Sequence, residues 1–302
     1  MAIWYEGNRN NEQNRREKDG IVYYVRGLRE VNGVRYERYG VKTHFIERGE
    51  DYIEILRRYV LPLYQSGDIV TLGEKVISMC QDNTVEKQNV KLGFWAKFLS
   101  RFATSNHSGI GMDEPYKLQL AINMKGLPLV LWGAFWGAVC KVFGKRGVFY
   151  EIVGQDVAGI DGFYSHSAFE TYHNLAVLNP RDPDKVCAEI QDKLGISCML
   201  VDANDIAVEI LAKSPDLNEV EDAVLAESIR DNPAGQDDEL TPFIILRDIG
   251  DAEAEPFVPL VAIDKPEHYT GKRSSVSREN GRNFKLSIDK FRPLLYNIMR
   301  DA

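Results

Sequence analysis

The sequence predicts an α+β fold of mixed or antiparallel sheets with packed helices, on three observations. Bulky and polar residues alternate on both sides of Asn32-Gly33; a short apolar run, Ser197 to Val201, directly follows a punctuated helix; and helical and strand periods mix along the chain without a regular βαβ beat. With 302 residues, 44% of them hydrophobic and 27% charged, the chain can bury one large core or two ordinary ones.

Each element has its own signal. Residues Arg9 to Lys18 mix bases, acids and amides and read as a solvated, poorly ordered segment. Residues 21–46 read as two strands around Asn32-Gly33, since both positions of such a turn need positive φ. Ile53, Leu56, Val60 and Tyr64 recur at helical spacing within 50–64. The run from Asp68 is strand-like to Leu72 and then becomes a helix or a second strand. Leu92, Trp95, Phe98, Leu99 and Phe102 predict an amphipathic helix over 91–104, and the Ser-, Gly- and Asn-rich stretch 104–115 reads as a mobile surface loop. Residues 127–143 fall short of the roughly 18–20 apolar residues a membrane span requires and contain Lys141, so they predict a buried helix. In it, Gly133 and Gly137 would admit another backbone.

Further along, Gly147 to Ile160 predicts two short strands ending at Asp161-Gly162. Asp182 and Pro183 supply an N-cap and a first-turn proline for a helix that Gly195 closes. A strand at Ser197–Val201, a helix over 220–230, a strand at Phe243–Arg247 and a last helix around Ser287 to Met299 complete the chain. This divides into a polar extension and hairpin (1–38), a main domain (39–250) and a tail with its helix (251–302).

Several function classes are excluded at this level. A net charge of −8 opposes attraction to phosphate backbones, so no nucleic-acid partner is expected. Cys80, Cys140, Cys187 and Cys198 lack disulfide or zinc-knuckle spacing, and neither a signal region nor a membrane span is evident. A cytoplasmic location without membrane contact follows as the expectation. No Walker or GxGxxG string occurs, and the five histidines (His44, His107, His166, His173 and His268) lack helical ligand spacing. Tyr164 to Ser167 lacks the glycines of a nucleophile elbow.

The chemistry-bearing pattern is acidic. Asp161 within Gly159–Gly162, Asp202 and Asp205 after Val201, and Asp237 to Glu239 after Gly235-Gln236 all adjoin expected strands. Magnesium or manganese favours such oxygen ligands, completed by water and nucleotide phosphate. The alternative is that these Asp and Asn residues only form turns. Gly235 could approach a phosphate if a metal screened the neighbouring acids.

Five strings in order resemble the γ-glutamyl ligases that extend the deazaflavin coenzyme, in particular a divergent bacterial branch. They are Val41–Ile46, Gly67–Ser78, Ala158–Asp161, Val201–Asn204 and Asn232–Asp237, spread from about Gly40 to Ile249. The resemblance implies an interlocked homodimer that uses GTP or ATP with Mg2+ or Mn2+ to join L-glutamate to an acceptor carboxylate: deazaflavin, folate or another. It places catalytic metal ligands at Asp161 and Asp202, a further ligand near Gln236, and a nucleotide-facing segment at Lys42, Thr43, His44 and Phe45. Asp205 or Asp237 would complete the metal shell. The chain departs from the family pattern at Glu74, Met79, Ala203 and Tyr164, and Lys75 is the residue placed to compensate for the missing family lysine. Besides the ligase, the residues admit a non-catalytic binder of a metabolite or partner and a nucleotide-independent metal hydrolase.

Overall fold

Asn32 and Gly33 hold φ of 52° and 83°, and Val31 pairs with Val34, so the expected hairpin closes as the turn chemistry requires. The computed structural model describes residues 4–5, 9–103, 112–145, 147–163, 171–203, 208–235, 239–259 and 262–263. In chain order the strands are β1 (Trp4–Tyr5), β2 (Arg15–Lys18), β3 (Ile21–Val31), β4 (Val34–Val41), β5 (Ile69–Gly73), β6 (Thr84–Glu86), β7 (Asp161–Gly162), β8 (Leu175–Val177), β9 (Ser197–Ala203), β10 (Val208–Lys213), β11 (Phe243–Asp248) and β12 (Ala262–Ile263). The helices are α1 (Tyr52–Tyr59), α2 (Glu74–Cys80), α3 (Phe94–Leu99), α4 (Pro115–Lys125), α5 (Leu127–Val142), α6 (Val148–Val153), α7 (Gln155–Ala158), α8 (Thr171–Asn174), α9 (Pro183–Leu194) and α10 (Asp222–Ser228).

The fold is a mixed α+β arrangement around a seven-stranded sheet of order β10-β9-β5-β11-β4-β3-β2. Within it β5 and β9 are parallel, and the other neighbours are antiparallel. The central strands are almost wholly apolar because both faces are covered. Val70, Leu72, Cys198, Leu200, Phe243 and Ile245 face one way, against Ile53 and Leu56 of α1 and Val186 and Ile190 of α9. Their sequence neighbours Ile69, Met199, Val201, Ile244 and Leu246 face the other way, against Leu225 of α10 and Ile229. This two-residue alternation fixes the register, since a one-residue slip would exchange the two faces.

A second cluster joins the helices between α3 and α7 to a small sheet of order β6-β8-β7, through Leu118, Ala121, Val130, Val153, Val157, Ile160 and Phe163. Met79 of α2 packs with Tyr172, Leu175 and Val177 and ties this sheet to the end of β5. The departure at Met79 is thus a core residue.

Several expectations are corrected. Arg9 to Lys18 is not a solvated tail: Arg15–Lys18 forms edge strand β2, Asn14 is buried, and Asn14 exchanges hydrogen bonds with the backbone of Val258. Val41–Ile46 is not a strand throughout, for β4 ends at Val41. Gly147 to Ile160 folds as α6 and α7, not as two strands. Positive φ at Gly147 and Gly154 brackets α6, and its Phe149 and Val153 pack onto Gly133 and Gly137 of α5, where tertiary contact overrides strand propensity. The close approach expected at those two glycines is therefore made within the chain. Residues 127–143 do form a helix, but it is half exposed: Val130, Gly133 and Val139 are buried, while Leu129, Trp132, Phe135 and Phe143 face solvent. The 91–104 helix shortens to α3 and turns Phe94, Trp95, Phe98 and Phe102 outward. Asp182 precedes α9 with φ of 46° and makes no side-chain cap, since that conformation turns its carboxylate away from the first amides. The last helix, around Ser287 to Met299, lies outside the described residues, as does most of the 104–115 loop. Among the described residues no helix is long and apolar enough to cross a membrane.

Leu72 is fully buried at the centre of the main sheet. Leu72→Ala is expected to cost about 3 kcal/mol, read in urea unfolding as a lower midpoint at unchanged slope. An unshifted midpoint would refute this packing.

Candidate active site

One end of the central strands of the main sheet collects most of the chemistry. Gly73 of β5 lies opposite Val201 of β9 in parallel register, so the next residues, Glu74 and Asp202, follow side by side. Across the β9–β10 pair Asp202 faces Glu209. Phe243 of β11 pairs with both Leu72 and Val41, so β11 begins where β5 and β4 end. The Thr43 amide donates to the Leu240 carbonyl at 2.9 Å and the Gly73 amide to the Pro242 carbonyl at 3.2 Å. The segments after β4 and before β11 therefore run past the same strand ends that carry Glu74 and Asp202. Carboxyl ends of parallel strands are where open sheets present ligand sites.

Asp161 comes from the small sheet, where β7 pairs it with Val177. The Lys75 ammonium bonds its carboxylate at 2.6 Å, with both side chains about three-quarters withdrawn from water. The same ammonium sits 5.4 Å over the Tyr172 ring, which meets Phe45 edge-on at 5.9 Å. Burial pushes the Glu74 carboxyl up to about 8, reinforced by the charges of Asp202 and then Asp161, with Lys75 opposing. Lys117 of α4 is buried, donates to the Ala158 carbonyl at 3.2 Å, and is pushed down to about 8 by burial, against the pull of Asp161 and Asp113. Carboxylates and ammonium groups thus share a partly dry site.

The expected residues divide by place. Lys75, Asp161 and Asp202 gather around Glu74, and Phe45 reaches the group through Tyr172. Lys42 is exposed, and Thr43 is buried with its hydroxyl donating to the His44 carbonyl. His44 turns toward α1, its ring nitrogens 2.9 Å from the Tyr59 hydroxyl and 2.8 Å from Glu50. Gly235, at φ of 78°, backs onto the Glu239 carboxylate, which pairs with the buried Arg26. Asp205, Gln236 and Asp237 lie outside the described residues. Periodicity missed Glu74 and Lys117 as site residues. Lys117 had a faint signal, a lone base among Leu118, Leu120 and Ala121; Glu74 had none until the pairing of β5 with β9 was known.

The donor set fits a hard divalent cation in its chemistry: carboxylate oxygens come together where burial, and then the charges of Asp202 and Asp161, keep Glu74 protonated near neutrality, a cost that a cation relieves. Yet no three His, Cys, Asp or Glu side chains among the described residues stand as a ready metal group. One Asp161 oxygen is taken by the Lys75 ammonium.

The titration of Glu74 has a definite sign. With its carboxyl raised from 4.5 to about 8, folding takes up a proton between those values, and the stability lost grows as pH rises through that window. In cation-free buffer Glu74→Gln is expected to match the parent melting temperature below about pH 4.5 and to exceed it increasingly up to about pH 8. A pH-independent difference would show that burial and the neighbouring acids do not raise the Glu74 carboxyl.

No family model matches the chain. An uncharacterized protein of Methanocaldococcus jannaschii is similar to it, at 23% identity over 183 residues, which cover 55% of this chain and 56% of that protein. The alignment thus spans little more than half of each.

Proposed function

We propose that the chain is a nucleotide- and divalent-metal-dependent amide ligase, adding L-glutamate or a similar amino acid to an acceptor carboxylate through an acyl phosphate. The supporting observation is that Asp161 and Asp202, forty-odd positions apart, both act on Glu74 at the end of β5. The mixed sheet with packed helices accommodates the deazaflavin-coenzyme ligase fold that the five strings resemble, and we extend the reading to its interlocked homodimer.

The chemistry follows from charge. A carboxylate is a poor electrophile, so its oxygen first takes the γ-phosphoryl group of GTP or ATP as the bond to the departing nucleoside diphosphate breaks. The glutamate amine then attacks the acyl carbon, loses a proton, and phosphate leaves. Asp161 and Asp202 would hold Mg2+ or Mn2+, with Asp205, Gln236 or Asp237 completing the shell; the cation would supply positive charge against the phosphoryl group in transit. Lys117 offers a positive charge in a site of low polarity, where it acts more strongly than in water. Lys75, once off Asp161, can turn to a phosphate oxygen. Glu74 holds its own proton to about pH 8 in the cation-free site; a bound cation would favour its ionised form, which could then accept the proton that the amine gives up.

One observation favours a second reading, a non-catalytic binder of a metabolite: the Lys75–Asp161 pair already neutralises one of the expected metal ligands.

Manganese with GTP or ATP is expected to raise the melting temperature, because a ligand that binds only the folded chain must stabilise it. With glutamate and an acceptor present, Asp202→Ala is expected to lower metal-dependent nucleotide turnover by at least about a hundredfold while circular dichroism stays unchanged. Undiminished turnover in that variant would remove Asp202 from the mechanism; stabilisation without any turnover in the parent chain would support the binder instead.

A further inference from the structure

Nine of the twelve large hydrophobic side chains exposed among the described residues lie between Phe94 and Phe143. Seven of them form two ridges. On and just after α3, Phe94, Trp95, Phe98 and Phe102 follow one helical face, and their rings touch in series at 5.1–6.2 Å. On α5, Leu129, Trp132 and Phe135 recur every third residue, with Trp136 against the latter two rings. Apolar exposure on this scale marks an interaction surface.

The chemistry of that surface is not uniformly apolar. Exposed Lys97 and Arg101 interleave with the α3 aromatics, and exposed Lys141 and Lys145 follow the α5 ridge. The two ridge segments, 91–103 and 127–145, carry five lysines and arginines and no acid within a chain of net charge −8, Lys145 pairing with Glu151 beyond them. Aromatic rings with cations in the same turns match the boundary between lipid headgroups and acyl chains, where rings sit at headgroup depth and bases meet anionic phosphates. In a two-fold contact with a second copy, by contrast, these bases would tend to face each other. At 16 residues α5 is too short to span a bilayer, but its length suits an in-plane position.

We propose that the α3 and α5 ridges dock the protein on an anionic lipid surface, lying in its plane and not crossing it. The proposal is independent of the ligase reading. Its partner is a negatively charged bilayer, recognised by aromatic insertion together with the local excess of positive charge.

Co-sedimentation of the full chain with unilamellar vesicles tests it, using phosphatidylcholine alone or with about one-third phosphatidylglycerol. Binding is expected to be at least about tenfold stronger to the anionic vesicles and to weaken with salt. Phe98→Glu with Phe135→Glu should abolish it. Lys97→Glu with Arg101→Glu, at exposed positions that leave the core untouched, should weaken it by about tenfold while the melting temperature is unchanged. Failure of the parent chain to sediment with anionic vesicles would overturn the proposal. If, in addition, the Phe substitutions abolished self-association in analytical ultracentrifugation, the ridges would be a subunit contact.

Discussion

The parallel pairing of β5 with β9 is the constraint on which the site depends. It sets Gly73 against Val201 and so leaves Glu74 and Asp202 as neighbours at the same strand ends. Neighbouring carboxylates repel, and partial burial strengthens the repulsion, so this register would not persist on its own account. Apolar packing on both faces holds it: Leu72 and Leu200 face α1 and α9, while Ile69, Met199 and Val201 face α10. A slip that separated the acids would turn both sets of side chains the wrong way.

The electrostatic state follows from that geometry. Glu74 keeps its proton to about pH 8, Lys117 gives up its own more easily than an ordinary lysine, and Lys75 leans on Asp161. Each adjustment reduces net charge in a partly dry site. A cation and a polyphosphate arriving together would replace these internal compromises with direct pairing, which is the physical link between the folded architecture and the proposed chemistry.

The fold was legible where local chemistry decides local structure. Asn32-Gly33 announced its turn, Pro183 and Gly195 bracketed α9, and the apolar runs at Ser197 and Phe243 became β9 and β11. It was illegible where a partner decides. The β-branched and aromatic run at Gly147 to Ile160 is helical because α5 offers it a glycine-lined groove, and the ring-rich faces of α3 and α5 read as core until the structure turned them outward. The site shows the same division. Asp161 and Asp202 stood out as acids beside expected strands, whereas Glu74 looked like a mere departure from a pattern, because nothing local reveals that the strand before it lies beside β9.

The proposed chemistry requires Asp161 and Asp202 to hold a cation jointly in the working state. Crystals grown with manganese and a non-hydrolysable GTP analogue would test it through manganese anomalous scattering. Joint binding is expected to give a peak coordinated by both aspartates, with the Lys75 ammonium drawn off Asp161 toward phosphate. A nucleotide-soaked crystal with the Lys75–Asp161 pair intact and no anomalous signal beside either aspartate would contradict it.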